Sequence, residues 1–186
     1  QSFVKFVKDI CQVVVDNAPA DVDALMQCKY PGSELTVAGI MPEKVMSIGE
    51  NLQIRRFVRY SDNTSVAYVH ANGKIGVLVN LAVEGGIDAT AIGKDVAMQI
   101  AALNPRFWDK SAVTPEVLEE EKKIALALMD NDPKMANKPD QVKEKIAAGK
   151  IAAFYKEICL LQQEFVRGDL FKGDVAGYIA DAAKKL

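Results

Sequence analysis

Hydrophobic positions change their period twice along the chain, and the changes mark out its elements. Phe3, Val7, Ile10 and Val14, joined by Val4 and Cys11, recur at helical spacing to about residue 17, where Ala18-Pro19 interrupts them. A short apolar segment at Val22, Leu25 and Met26 is closed by the turn signal Tyr30-Pro31-Gly32. Thr36 is placed to cap a helix carrying Val37, Ile40, Val45 and Ile48, which Pro42 is expected to split and Gly49 to end. From Leu52 the period becomes two. Leu52, Ile54, Val58 and Tyr60 alternate with Gln53, Arg55 and Arg59, which predicts a strand. Val66–Ala71 and Lys74–Val83 read as two more, joined by Asn72-Gly73 as a two-residue type I′ turn. In that register Val66, Tyr68 and His70 share a face with Ile75, Val77 and Val79, and that apolar face needs a cover.

The period then returns to helical. Asp88 is expected to cap a helix with Ile92, Val96, Ile100 and Leu103 along one stripe, ended by Asn104-Pro105. Thr114-Pro115-Glu116 starts a charged helix to about Met129. After a Pro- and Asn-bearing link, Val142, Ile146, Ile151, Phe154 and Ile158 predict a second helix, with a break at Gly149, and the two together an antiparallel hairpin. Phe165–Gly173 reads as loop, and Asp174 as the cap of a last helix turning Val175, Tyr178 and Ile179 inward. The fold class is therefore α+β: small antiparallel sheet layers packed by helices, with a protruding helical hairpin.

Composition narrows the function classes. The 186 residues carry 23 Lys plus Arg against 25 Asp plus Glu, so no basic excess draws nucleic acid to the surface. No apolar run approaches the roughly 20 residues of a membrane span, and the first residues lack a signal peptide's pattern, which reads as a cytoplasmic chain. Cys11, Cys28 and Cys159 form no CxxC element and fit a reducing compartment. His70, the only histidine, is either a general base or the completion of a strand face, and no nucleophile motif accompanies it. Cys159, within Ile158-Cys159-Leu160-Leu161, reads as a packing thiol. Glu119, Glu120 and Glu121 are consecutive and spread round a helix, so they do not converge on a metal. Gly85-Gly86 lacks the spacing of a phosphate-binding turn. The residues point to a binding protein with no cofactor. Ile48-Gly49-Glu50-Asn51, running into Leu52–Phe57 with Arg55 and Arg56, is either an ordinary helix-to-strand junction or a contact surface.

Ser47-Ile48-Gly49-Glu50-Asn51-Leu52-Gln53-Ile54-Arg55-Arg56-Phe57 resembles the Ile-Gly-Glu-Asn-x-x-Ile-Arg-Arg segment of the elongation factor Ts family. Three further stretches agree in order: Tyr68–Val79 with that family's hairpin, Val96–Pro105 with its following helix, and Gly149–Val166 with its Phe-x-x-Glu-x-x-Leu-x-x-Gln-x-Phe-Val run. The resemblance implies a non-catalytic guanine-nucleotide exchange factor for elongation factor Tu, promoting GDP release in translation elongation. It implies that Ile48, Gly49, Glu50 and Asn51 contact the GTPase's nucleotide domain, and that Gln99, Phe165 and Val166 face its other domains. It also implies a division into residues 1–62, a remnant of an N-terminal core subdomain, residues 63–112 with 161–186, a C-terminal one, and a hairpin insertion, 113–160. The hairpin suggests a homodimer, and a self-association module without exchange activity is the alternative. Gln99 stands where the family often has histidine, so it can hydrogen-bond but not charge. On this resemblance the family's three-helix domain and Thr-Asp-Phe-Val strand would lie ahead of residue 1, and its last core strand beyond Leu186. Little exchange activity is then expected of residues 1–186 alone.

Overall fold

The computed structural model describes residues 2–186, which form two compact units divided between Ser61 and Asp62. In the first, α1 (Ser2–Asn17) buries Phe6, Ile10, Val13 and Val14; of the predicted stripe only Ile10 and Val14 turn inward, and Phe3, Val4, Val7 and Cys11 are exposed. α2 (Val22–Gln27) is a helix of six residues, started by Asp21, whose side chain accepts the Ala24 amide at 2.8 Å. The chain then folds back on itself, with the Tyr30 amide donating to Leu35 O (2.9 Å) and the Val37 amide to Cys28 O (2.8 Å). α3 (Val37–Ile48) begins as expected, Thr36 Oγ1 accepting the Gly39 amide at 3.1 Å. Pro42 does not split it. Val37 and Ile40 are buried on one side of the proline, and the helix is still bonded at its end through the Gly49 amide and Val45 O (2.8 Å). Packing thus outweighs the loss of one donor.

The strand expected over Leu52–Tyr60 is not formed; residues 50–61 have no regular secondary structure. Leu52, Ile54 and Phe57 pack against the first core, whereas Val58 and Tyr60 are exposed. The alternation matches the core-facing side chains only over Leu52–Ile54, and among the described residues no strand of this unit pairs with it to make a ladder.

A polar cluster fastens α1 to the turn after α2. The Tyr30 hydroxyl donates to Asp9 Oδ2 at 2.6 Å, and Lys5 Nζ stands 2.7 Å from the same oxygen. The hydrogen bonds from Lys5, then Tyr30, hold the Asp9 carboxyl below its ordinary value, while burial and then the Asp9 bond push the Tyr30 hydroxyl up. The signs are opposite. Asp9 contributes stability above the unfolded carboxylate range and loses it as pH falls through its depressed folded value; Tyr30 contributes below the ordinary tyrosine range and loses it above its raised one. Asp9→Asn should therefore flatten the acid limb of a plot of Tm against pH. An acid limb identical to that of the parent would show that Asp9 plays no part in it.

In the second unit β1 (Thr64–His70) and β2 (Ile75–Leu81) form a two-stranded antiparallel sheet in the predicted register, Val66 opposite Val79, Tyr68 opposite Val77 and His70 opposite Ile75. The turn differs from the two-residue expectation. Ala71 is already left-handed (φ 49°), followed by Asn72 (54°) and Gly73 (92°), so the ladder stops at His70 and Ile75 and residues 71–74 form the loop. One residue leaves each strand, so the alternation of faces is preserved.

α4 (Thr90–Leu103) covers the hairpin, with Ile92, Val96 and Ala97 buried. Asp88 accepts the Thr90 amide at 2.9 Å, but the cap position itself is the buried Ala89, and Leu103 lies outside the stripe, half exposed. The core beneath joins Val79, Ile92, Val96, Leu160, Phe165, Val175 and Tyr178. α7 (Val175–Ala183) completes it, Asp174 accepting the Gly177 amide at 2.8 Å as expected.

α5 (Pro115–Asp130) starts at Pro115, but the Thr114 hydroxyl makes no capping bond. α6 (Asp140–Ile158) runs unbroken through Gly149. The two pack antiparallel through Ala125, Met129 and Ala147, with Lys143 Nζ 2.6 Å from Asp130 at one end and Val113 against Ile158 at the other. Among the described residues no helix is long and apolar enough to cross a membrane.

Candidate partner-binding surfaces

The helix stop at residues 48–51 is built from α3 outward. Ile48, its last residue, is half-buried against the first core and anchors the turn. Gly49 follows with φ 80° and ψ 18°, a left-handed conformation that reverses the chain. A β-carbon there would meet nothing within 4 Å, so it is backbone conformation and not crowding that favours glycine. Glu50 and Asn51 are left exposed, as is Met46, 85% accessible, one turn earlier in α3. The turn therefore offers an acid, an amide and a thioether to whatever meets it.

The second surface lies in the other unit, at the segment after α6. The Phe165 amide donates to Gly173 O (2.8 Å) and the Val175 amide to Gln163 O (3.0 Å), so residues 163–165 run beside 173–175. Phe165 turns inward and stacks on Tyr178, ring centroids 4.0 Å apart and 12° from parallel. Val166, the next residue, points out and is 44% exposed. Gln99 is not at the surface at all: it is fully buried on α4, and its side chain reaches the loop from inside. Gln99, Phe165 and Val166 thus come together in space, but only Val166 presents a side chain to solvent. Ile48, Gly49, Glu50 and Asn51 are together in the first unit.

Four residues of this second site, Gln163, Asp95, Arg167 and Asp169, were not singled out from sequence. Gln163, 1% exposed, bonds to Gln99. Asp95 accepts the Tyr178 hydroxyl at 2.5 Å, and the Arg167 guanidinium lies 3.8 Å from it. Burial, then the Asp95 bond, pushes the Tyr178 hydroxyl up, and Asp169, bonded to Arg167 at 2.8 Å, is held below its ordinary value by that arginine. A signal was present. Asp95 and Gln99 interrupt the inward stripe of Ile92, Val96 and Ile100, and polar residues on such a stripe need buried partners.

The remaining chemistry-bearing residues stay apart. His70 is exposed at the strand end, its Nδ1 2.9 Å from the Tyr68 hydroxyl, with no nucleophile beside it. Cys159 is fully buried, and burial pushes its thiol up, away from the reactive thiolate. Among the described residues no three His, Cys, Asp or Glu side chains are placed to hold a metal.

The family model described as Elongation factor TS matches residues 1–186. Elongation factor Ts of Syntrophotalea carbinolica is 39% identical over 169 residues, covering 89% of this chain and 54% of that protein. Elongation factor Ts of Trichlorobacter lovleyi is 40% identical over 192 residues, covering 99% of this chain and 60% of its own, and that of Clostridium novyi is 37% identical over 171 residues, covering 90% and 55%. The chain spans little more than half the length of these curated relatives.

Proposed function

The chain belongs to the elongation factor Ts family, and from that premise we propose that it binds elongation factor Tu as part of a factor that promotes GDP release without making or breaking a covalent bond. The observation that carries this reading is the family match along all 186 residues, which includes both exposed surfaces. The exchange follows from linkage: a partner that prefers the nucleotide-free GTPase weakens GDP binding by the same factor, ordinarily about 1–3 kcal/mol of coupling. The Ile48–Asn51 turn meets the nucleotide domain, and the Val166 loop the others. In this reading residues 1–62 and 63–112 with 161–186 are the two core subdomains, 113–160 is an insertion, and the protein works in the cytoplasm.

The test is release of a fluorescent GDP analogue from elongation factor Tu, together with binding to the nucleotide-free GTPase. Glu50→Lys should weaken binding by roughly tenfold, the size of a moderate interface hot spot, because the exposed side chain stabilises nothing else. Its Tm should stay that of the parent. Failure of residues 1–186 to bind nucleotide-free elongation factor Tu would remove the reading.

One observation favours a second role. Ile124 and Leu128 lie one turn apart on α5 and are 47% and 59% exposed, leaving that helix an open apolar face, and Val142 on α6 is exposed too. Pairing of two hairpins through that face gives a homodimer. Sedimentation at rising concentration should show it, and Leu128→Glu should abolish it; a monomer throughout excludes the pairing.

A further inference from the structure

Two uncharged polar side chains are sealed inside the second unit and bond to each other, and one of them holds the loop that carries Val166. Gln99 is 0% and Gln163 1% exposed. Gln99 Nε2 donates to Gln163 Oε1 (3.2 Å) and to Glu164 O (3.1 Å), while Gln99 Oε1 accepts the Val166 amide at 2.8 Å. Gln163 Nε2 donates to Glu157 O (2.8 Å), in the last turn of α6. The orientation of the Gln99 amide is fixed, since an N–H and a carbonyl meet its two ends and a flip would oppose like groups. One side chain on α4 thus ties down successive parts of the loop, and the second ties the same point to α6.

An apolar pair of the same shape would avoid the desolvation of two amides but would leave the Val166 amide and the Glu164 and Glu157 carbonyls without these bonds, so the two glutamines suit the loop only in the place where it sits. What the amides add is position: hydrophobic packing is non-directional, whereas these bonds specify where the Val166 backbone sits. The neighbouring Phe165 ring on Tyr178, with Tyr178 on Asp95, fixes the loop from its other side.

We propose that Gln99 and Gln163 are positioning residues that hold the Val166 loop in its partner-binding conformation, so that the partner does not have to order it; this rests on the reading that the loop faces elongation factor Tu. Gln99 then acts on affinity through the loop and never touches the partner.

The experiment combines amide exchange with binding, on the full chain. In the parent, the Val166 amide should exchange roughly a hundredfold slower than an unstructured amide, although it lies in an exposed loop, because its acceptor is buried. In Gln99→Met, a shape-conserving change, that protection should vanish while the α4 amides keep theirs. The dissociation constant for nucleotide-free elongation factor Tu should rise roughly tenfold, as when about one loop conformation in ten is competent. Gln163→Leu, which leaves the bond to Val166 intact, should cost less in both readouts and serves if Gln99→Met does not fold. An unprotected Val166 amide in the parent overturns the proposal, as does a Gln99→Met or Gln163→Leu protein whose loop exchanges freely but which binds like the parent. Val166→Asp separates the two layers: normal binding by that variant sinks the loop as a partner surface and the inference with it. Weakened binding there beside normal binding by Gln99→Met sinks the positioning role alone.

Discussion

Gly93→Val is expected to destabilise the second unit by about 3 kcal/mol, the upper end of what overpacking a close-fitted core costs. A β-carbon at Gly93 would stand 2.5 Å from Val66 Cγ2, 3.0 Å from Val66 Cβ and 3.4 Å from Leu81 Cδ1. The second of these contacts matters most. Val66 Cβ is bonded directly to the β1 backbone and has no rotamer through which to withdraw, so relief requires α4 to lift from the sheet. Lifting it opens the layer that buries Val66, Val79, Ile92 and Val96. Gly93→Ala tests the same contact more finely, because alanine's helix propensity returns about 1 kcal/mol and the measured loss understates the clash. In a double-mutant cycle, Val66→Ala should lose less in the Gly93→Ala background than alone. Denaturant unfolding of the four proteins measures this, and strictly additive losses would show that the two residues do not collide.

The elements that were legible in the sequence are those whose cause is local. Thr36, Gly49 and Asp174 do their work within three or four residues, and each is found where its chemistry predicts. The register of the hairpin was legible too, since Asn72-Gly73 centres the turn and the alternation of apolar residues fixes the faces. What could not be read is what depends on distant partners. Leu52–Phe57 carries the alternation of a strand, but a strand needs a neighbour to pair with, and nothing in those residues tells that none of the described residues of the first unit supplies one. Gln99 is the same case for the site. Its place on the inward stripe signals that it needs a buried partner, but that partner, Gln163, lies 64 positions away and nothing local identifies it. Of the seven residues named as a contact surface, the first four form one turn whose conformation a glycine announces. Phe165 and Gln99 instead turn inward, and Val166 alone of the second group is presented outward.

Leu25→Ala should be the most damaging single truncation in the first unit, at about 3–4 kcal/mol, within the range for emptying a fully buried leucine site. The size follows from where the residue stands. α2 has six residues, far below the roughly 12 to 15 at which an isolated helix becomes even marginal, so it persists through its cap and its burial. Asp21 supplies the cap and Leu25, 0% exposed, is its only buried side chain. Truncation therefore leaves a cavity in the core that also holds Phe6, Ile10, Val13 and Val37, and removes the reason for the helix to form. The effect reaches the exposed turn, because Ile48, Leu52, Ile54 and Phe57 rest on the same core that Leu25 fills. Hydrogen exchange should show the α1 and α3 amides losing protection together. Leu25→Met, which keeps the volume, should cost less than about 1.5 kcal/mol and leave the exposed Glu50 and Asn51 turn in place. If Leu25→Ala lost no more stability than Leu25→Met, the first core would be plastic at this point, and the turn would owe its position to α3 alone.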